Sequence, residues 1–127
     1  MSTIFPTLQE LLELHTKLIA RFGGSPGVRD MGCLESALYR PQTGYYDSLA
    51  QQAGALLQSL AMNHGFVDGN KRVSFAMTAI FLRLNGYRLT AEAEEAERFM
   101  IDEVIVGSAD LERIAGWLSE RMHSLSK

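Results

Sequence analysis

The chain reads as an all-α fold, on three observations. Apolar residues recur at helical spacing in successive runs. Capping residues such as Thr, Asp and Ser stand where those runs begin, and Gly, Asn or Pro where they end. Strand signals are nearly absent, because the stretch Tyr87–Leu89 is too short to found a sheet.

The elements follow in order. Thr7 and Glu10 form a capping box, each satisfying an orphan N–H of the other's turn. Leu8, Leu11, Leu12, Ile19 and Phe22 then share one helical face, and GGSPG at residues 23–27 stops that helix. Asp30 caps a short second helix, which ends before Pro41 because the residue preceding proline is pushed out of the α region. PQTGYYD, residues 41–47, is a loop or extended segment. Asp47 or Ser48 caps a third helix running to about His64, and a fourth runs from about Asn70 to Leu84, where Asn85-Gly86 stops it. Thr90 caps a fifth, whose first turn carries Glu92, Glu94 and Glu95 where the dipole favours negative charge. Gly107 ends it, and Ser108 caps a last helix that buries Leu111, Ile114, Trp117 and Leu118. The expectation is one domain of about six helices over residues 1–127, around a central apolar helical hairpin.

Bulk properties narrow the function classes. Hydrophobic residues at 46% and charged residues at 21% argue against disorder. A net charge of -3 gives no electrostatic basis for direct nucleic-acid binding. No segment approaches the roughly 18 uninterrupted apolar residues of a membrane span. The N-terminus has no basic stretch leading into an apolar run, so a signal peptide is not expected. A single cysteine, Cys33, excludes an internal disulfide and suits a reducing compartment. The expected location is the cytoplasm, with no membrane partner.

One run stands out. Residues 63–72 read NHGFVDGNKR, between residues 48–62, which carry no charge, and residues 73–86, whose only charge is Arg83. Gly69 and Asn70 open the fourth helix, where free N–H groups and the macrodipole attract anions. Lys71 and Arg72 add cations at an end that usually prefers acids, and a bound phosphate resolves the conflict. Gly69 leaves room for a phosphate to approach the backbone. Asp68 beside such a pocket would repel the ligand unless a hard cation bridged them, for which magnesium is the usual solution. His64 is the side chain here able to take a proton near neutral pH. Together these groups read as a transfer site for part of a nucleoside triphosphate.

Each piece has an ordinary structural reading. Taken singly, a histidine at a helix end is more often a cap, Asp68-Gly69 more often a turn, and Lys71-Arg72 more often a solvated edge. Phe66 is an apolar plug under either view. Their coincidence within nine residues, beside two buried helices, favours the chemical reading. The run is not a P-loop, since Lys71 is not followed by Ser or Thr. Zinc is not expected, since His15, His64 and His123 are scattered, and His15 reads as a satisfied core histidine.

Residues 64–72, HGFVDGNKR, resemble the signature of the Fic/Doc superfamily, roughly HxFx(D/E)GN(G/K)R. The lysine after the asparagine is similar to the Doc (death-on-curing) branch, toxins of prokaryotic toxin–antitoxin pairs. LELHTKLIARFGGSPGVRD and FLRLNGYRL are similar to Doc toxins as well, as are the length and helical plan. The resemblance implies that His64 is the general base activating a hydroxyl on a protein target and that Asp68 holds Mg2+ on the phosphates of ATP. It implies that Gly69, Asn70, Lys71 and Arg72 form the phosphate-binding start of the fourth helix. Fic enzymes typically transfer AMP, whereas Doc toxins transfer the γ-phosphate to a threonine of elongation factor Tu and halt translation.

Lys71 replaces the second glycine of the AMP-transferring pattern and Phe75 stands where that pattern has a second arginine; both favour phosphoryl transfer. Gly65 replaces a frequent proline, a change expected to loosen the loop. The inhibitory motif (S/T)xxxE(G/N) is incomplete, because Thr90–Glu94 is followed by Glu95 and Ser108–Glu112 by Arg113. A separate antitoxin is therefore expected to supply an inhibitory helix to a groove near the site, and residues 41–47 to align the target peptide. The readings carried forward are a Doc-type kinase, a nucleotidyltransferase attaching AMP, and a catalytically idle Fic-fold binding module.

Overall fold

A computed structural model describes residues 2–126 and bears out the all-α expectation. Helix α1 spans Leu8–Phe22, α2 Met31–Tyr39, α3 Leu49–Met62, α4 Asn70–Leu84, α5 Ala93–Arg98 and α6 Leu111–Arg121. The Thr7 hydroxyl accepts from the Glu10 N–H (3.1 Å), and the Glu10 carboxylate accepts from the Thr7 N–H (2.8 Å), so the capping box at α1 forms. Asp30 caps α2 through the Cys33 N–H. A short 3₁₀ turn, Arg40–Gln42, holds Pro41 in its first turn, where a missing N–H has no cost.

The uncharged pair is central. On α3, residues Ala53 to Leu57, Leu60 and Ala61 are buried, and on α4 Val73, Met77, Phe81 and Leu82. All but Gly54 and Ala55 belong to one continuous hydrophobic core that also takes in Leu11, Leu34, Phe99 and Trp117. Small residues bring α6 close: a Cβ on Gly54 would lie 3.2 Å from Leu111 Cδ1. The buried polar groups Ser74 and Thr78 donate back to the carbonyls of Lys71 and Ser74 (2.7 Å each), as hydroxyls within helices do. None of the described residues is left with a buried, unpaired side-chain polar atom.

Four expectations need correction. α3 stops at Met62 with Asn63 as its C-cap, so His64 lies beyond the helix. Thr90 does not cap α5; its N–H and hydroxyl both reach the Arg121 carbonyl (2.8 and 3.2 Å), and Glu92 takes the N-cap position. Ser108 does not cap α6, because Asp110 does so through the Arg113 N–H (2.9 Å). Tyr87–Leu89, read as too short to found a sheet, becomes strand β1 and pairs antiparallel with β2, Met122–Ser124, in a two-stranded sheet. Two strands alone would be marginal, but Tyr87 and Leu89 pack on the helical core. α5 also continues as a π-helix, Phe99–Val106, before Gly107 ends it. The π-turn lets Phe99 stack on Trp117, with ring centroids 4.1 Å apart.

Candidate functional site

The polar run forms the turn from the end of α3 to the start of α4. Phe66 is 1% exposed and lies flat against His15, with ring centroids 3.7 Å apart. His15 is the core histidine expected from its face of α1: it is buried, and its Nε2 donates to the Asp68 carbonyl (2.8 Å). The side chain of Asn70 closes the turn on itself. Its Oδ1 accepts from the Phe66 N–H and its Nδ2 donates to the Phe66 carbonyl, both at 3.0 Å. The expected phosphate ligand Asn70 therefore braces the loop with its amide, and only its backbone faces the helix start.

Gly69 is the N-cap of α4, in left-handed backbone (φ 80), and no side chain caps this helix. Its Cβ would also come within 3.3 Å of Ile19 and 3.6 Å of His15, which packs α1 tightly under the turn. Asp68 Oδ1 accepts from the Gly69 N–H (2.8 Å) and Oδ2 from the Ser25 N–H (3.0 Å). These two bonds, that of Ser25 foremost, hold the Asp68 carboxyl below the usual carboxylate range. The carboxylate is thus ionised and exposed, and two bonds leave about half its lone-pair sites open.

A shallow pocket of about 350 Å³ is lined by residues Val67, Asp68, Gly69, Asn70, Lys71 and Arg72. Five of the six predicted site residues meet there. His64 does not line it; it stands exposed at the loop's other end in left-handed backbone (φ 51). For a non-glycine residue that conformation costs on the order of 1–3 kcal/mol, and it persists only where surroundings impose it. Among the described residues no group of three or more His, Cys, Asp or Glu gathers as a metal cluster. One ionised carboxylate with open lone pairs beside an uncapped helix start has the donor chemistry that a magnesium ion shared with phosphate oxygens would need.

Lys71 and Arg72 turn partly away from the pocket. Lys71 Nζ pairs with Glu97 of α5, and the Arg72 guanidinium lies 4.3 Å from the centre of the Phe22 ring. Both line a second, apolar groove of about 370 Å³ between α1, α4 and α5, walled by Leu18, Phe22, Phe75, Ala96 and Met100. The two cavities share Lys71 and Arg72 as a common rim.

Sequence reading missed Ser25, Arg29 and Glu97. All three act across long stretches of chain, and the only local sign was the density of glycine around Ser25 and Arg29. The prediction that Gly65 loosens the loop fails. Its carbonyl accepts from the N–H groups of Arg29 (2.8 Å) and Asp30 (3.0 Å), and a Cβ there would collide with the Leu34 side chain.

The chain is similar to proteins of one known family. A model of the Fic/DOC family matches residues 5–82. A protein named Toxin Doc, from Mycolicibacterium smegmatis, is 47% identical over 105 residues, covering 77% of this chain and 80% of that one. A protein named Protein kinase doc, from Escherichia phage P1, is 34% identical over 93 residues, covering 70% of this chain and 74% of its own. No helix among the described residues is long and apolar enough to cross a membrane.

Proposed function

The chain belongs to the Fic/DOC family, and on that premise we propose that it is a Doc-type toxin that phosphorylates a protein hydroxyl from ATP. The observation that carries this reading is the start of α4: an uncapped helix with two cations, an ionised Asp68 at its edge and His64 on the same turn. The names of the relatives, Toxin Doc and Protein kinase doc, support it.

In this reading His64 accepts the proton of the target hydroxyl as its oxygen bonds to the γ-phosphorus. The bond from the γ-phosphorus to the bridging oxygen breaks, and ADP leaves. The N–H groups of the first turn of α4, with Lys71 and Arg72, hold the phosphate charge in place, which is most of what catalysis of phosphoryl transfer requires. Asp68 would hold Mg2+, which when bound neutralises charge on the phosphates. Lys71 in place of a second glycine supports γ-phosphate over AMP transfer. The proposed target is a threonine of a translation factor such as elongation factor Tu, which implies work in the cytoplasm.

The cognate antitoxin would lay an amphipathic helix in the apolar groove beside α1, α4 and α5, against Lys71 and Arg72 on the shared rim. Occupying that groove would hold both cations away from the nucleotide.

Purified protein freed of antitoxin, with magnesium and a bacterial lysate, should label one protein band from ATP carrying label on the γ-phosphate and none from ATP labelled on the α-phosphate. The same reaction with His64→Ala should give no band. A His64-dependent band carrying α label would establish AMP transfer instead. Toxicity of His64→Ala with no labelling by the wild type would point to an idle binding module.

A further inference from the structure

The loop that carries His64 is held from outside by residues 27–30, a segment in direct contact with it but distant in sequence. Val67 N–H donates to the Gly27 carbonyl (3.0 Å), and Val28 forms an isolated antiparallel bridge with Phe66. Three consecutive carbonyls then converge on Arg29 and Asp30. The Gly65 carbonyl accepts from both their N–H groups, the His64 carbonyl accepts from Arg29 Nε (2.6 Å), and the Asn63 carbonyl lies 3.4 Å from Arg29 Nη2.

We propose that Arg29 is a positioning residue, whose guanidinium holds His64 in the left-handed backbone that aims its imidazole; this rests on the reading of His64 as the base. A carbonyl's direction is set by the peptide plane that carries it, and that plane turns when the adjoining backbone dihedrals change. Fixing the carbonyls of residues 63, 64 and 65 fixes the planes on both sides of His64. His64 then has no free backbone rotation with which to relax to φ below zero. The bonds from Arg29 are charge-assisted, and one cation can reach two successive carbonyls through its fork of donors. Helix geometry does not impose the strain, since His64 lies outside α3, and its own side chain is exposed. Of the bonds that hold the loop, those of the Arg29 side chain are the ones that reach the carbonyls of residues 63 and 64. An exposed arginine would ordinarily satisfy itself in water. Here its Nε and Nη2 are given to main-chain oxygens of the loop that carries the proposed base.

The test compares wild type, Arg29→Met, Arg29→Lys and His64→Ala. Two readouts are used: the rate of γ-label transfer to the lysate band across a series of ATP concentrations, and the His64 ring resonances by NMR. Arg29→Met should lower the rate at saturating ATP by roughly tenfold to a hundredfold, because small misplacement of a catalytic group costs that much. The half-saturating ATP concentration should stay within about twofold, since the phosphate pocket is intact, and Arg29→Lys should restore part of the rate. The His64 resonances should shift or broaden in Arg29→Met while the thermal midpoint holds within a few degrees. A wild-type rate in Arg29→Met, or a loss of rate matched by a rise in half-saturating ATP, would overturn the proposal. If His64→Ala transfers as fast as wild type, the base reading fails, and the ring resonances then decide alone: unchanged signals in Arg29→Met mean that Arg29 holds nothing.

Discussion

Helices α3 and α4 form the centre of the core and begin in opposite ways. α3 starts at Ser48, whose hydroxyl accepts from the Gln51 N–H (3.0 Å) while the Gln51 side chain accepts from the Ser48 N–H (3.2 Å). α4 starts at Gly69 with no side-chain cap, and its first turn carries Lys71 and Arg72 rather than acids. Thr7, Asp30 and Asp110 cap α1, α2 and α6 in the manner of Ser48. The contrast separates two uses of the same backbone groups. A start closed by its own side chains serves folding. A start left open, with its dipole reinforced by cations, gives up that stabilisation and leaves its donors free for the proposed phosphate ligand.

The most severe way to break the comparison is at the turn that feeds α4. His64→Ala should reduce transfer by about 10²- to 10⁴-fold, the usual contribution of a general base, with an unchanged far-ultraviolet circular dichroism spectrum. Transfer that survives would leave the open helix start without its proposed chemistry. Next in size, Gly69→Ala places a side chain at φ 80, against Ile19. It should destabilise the fold by about 1–2 kcal/mol in urea titration and weaken ATP binding in calorimetry as the helix start shifts. Equal affinity in the variant would mean that the geometry of Gly69 serves the turn alone. Smallest, Ser48→Ala should cost about 1 kcal/mol of stability and leave the transfer rate untouched. A rate change there would erase the distinction between the two starts.

Local features were legible in the sequence. Thr7, Asp30 and Ser48 each cap through a residue three positions on, and a spacing that short is visible in the letters. His15 was placed correctly because it lay on an apolar face of α1, and Phe66 because it is a large apolar ring among the polar residues of the turn. The candidate site was legible as a set because its residues are consecutive, and five of the six do line one pocket. What stayed hidden was set by distant partners. Ser25 reaches Asp68 across 43 residues and Lys71 reaches Glu97 across 26, and no periodicity encodes either. The π-helix was hidden for another reason: its identity lies in which carbonyl each N–H selects, and the Phe99–Trp117 stack that goes with it is a tertiary contact. Thr90 and Ser108 had the chemistry of a cap, but Thr90 was taken by Arg121 and Asp110 stood nearer the start of α6.

The far end of α4 has a consequence of its own. Asn85 exchanges two hydrogen bonds with Ile4, both at 2.8 Å, and the Gly86 carbonyl accepts from the Leu125 N–H (2.9 Å). Residues 4 and 125 are thus both held at the C-terminal end of α4, on the neighbouring residues Asn85 and Gly86. α4 is 15 residues long, so that seam lies about 22 Å along its axis from the Gly69 end. A carrier protein or affinity handle joined near either residue would hang from the seam, remote from both the pocket and the rim it shares with the groove.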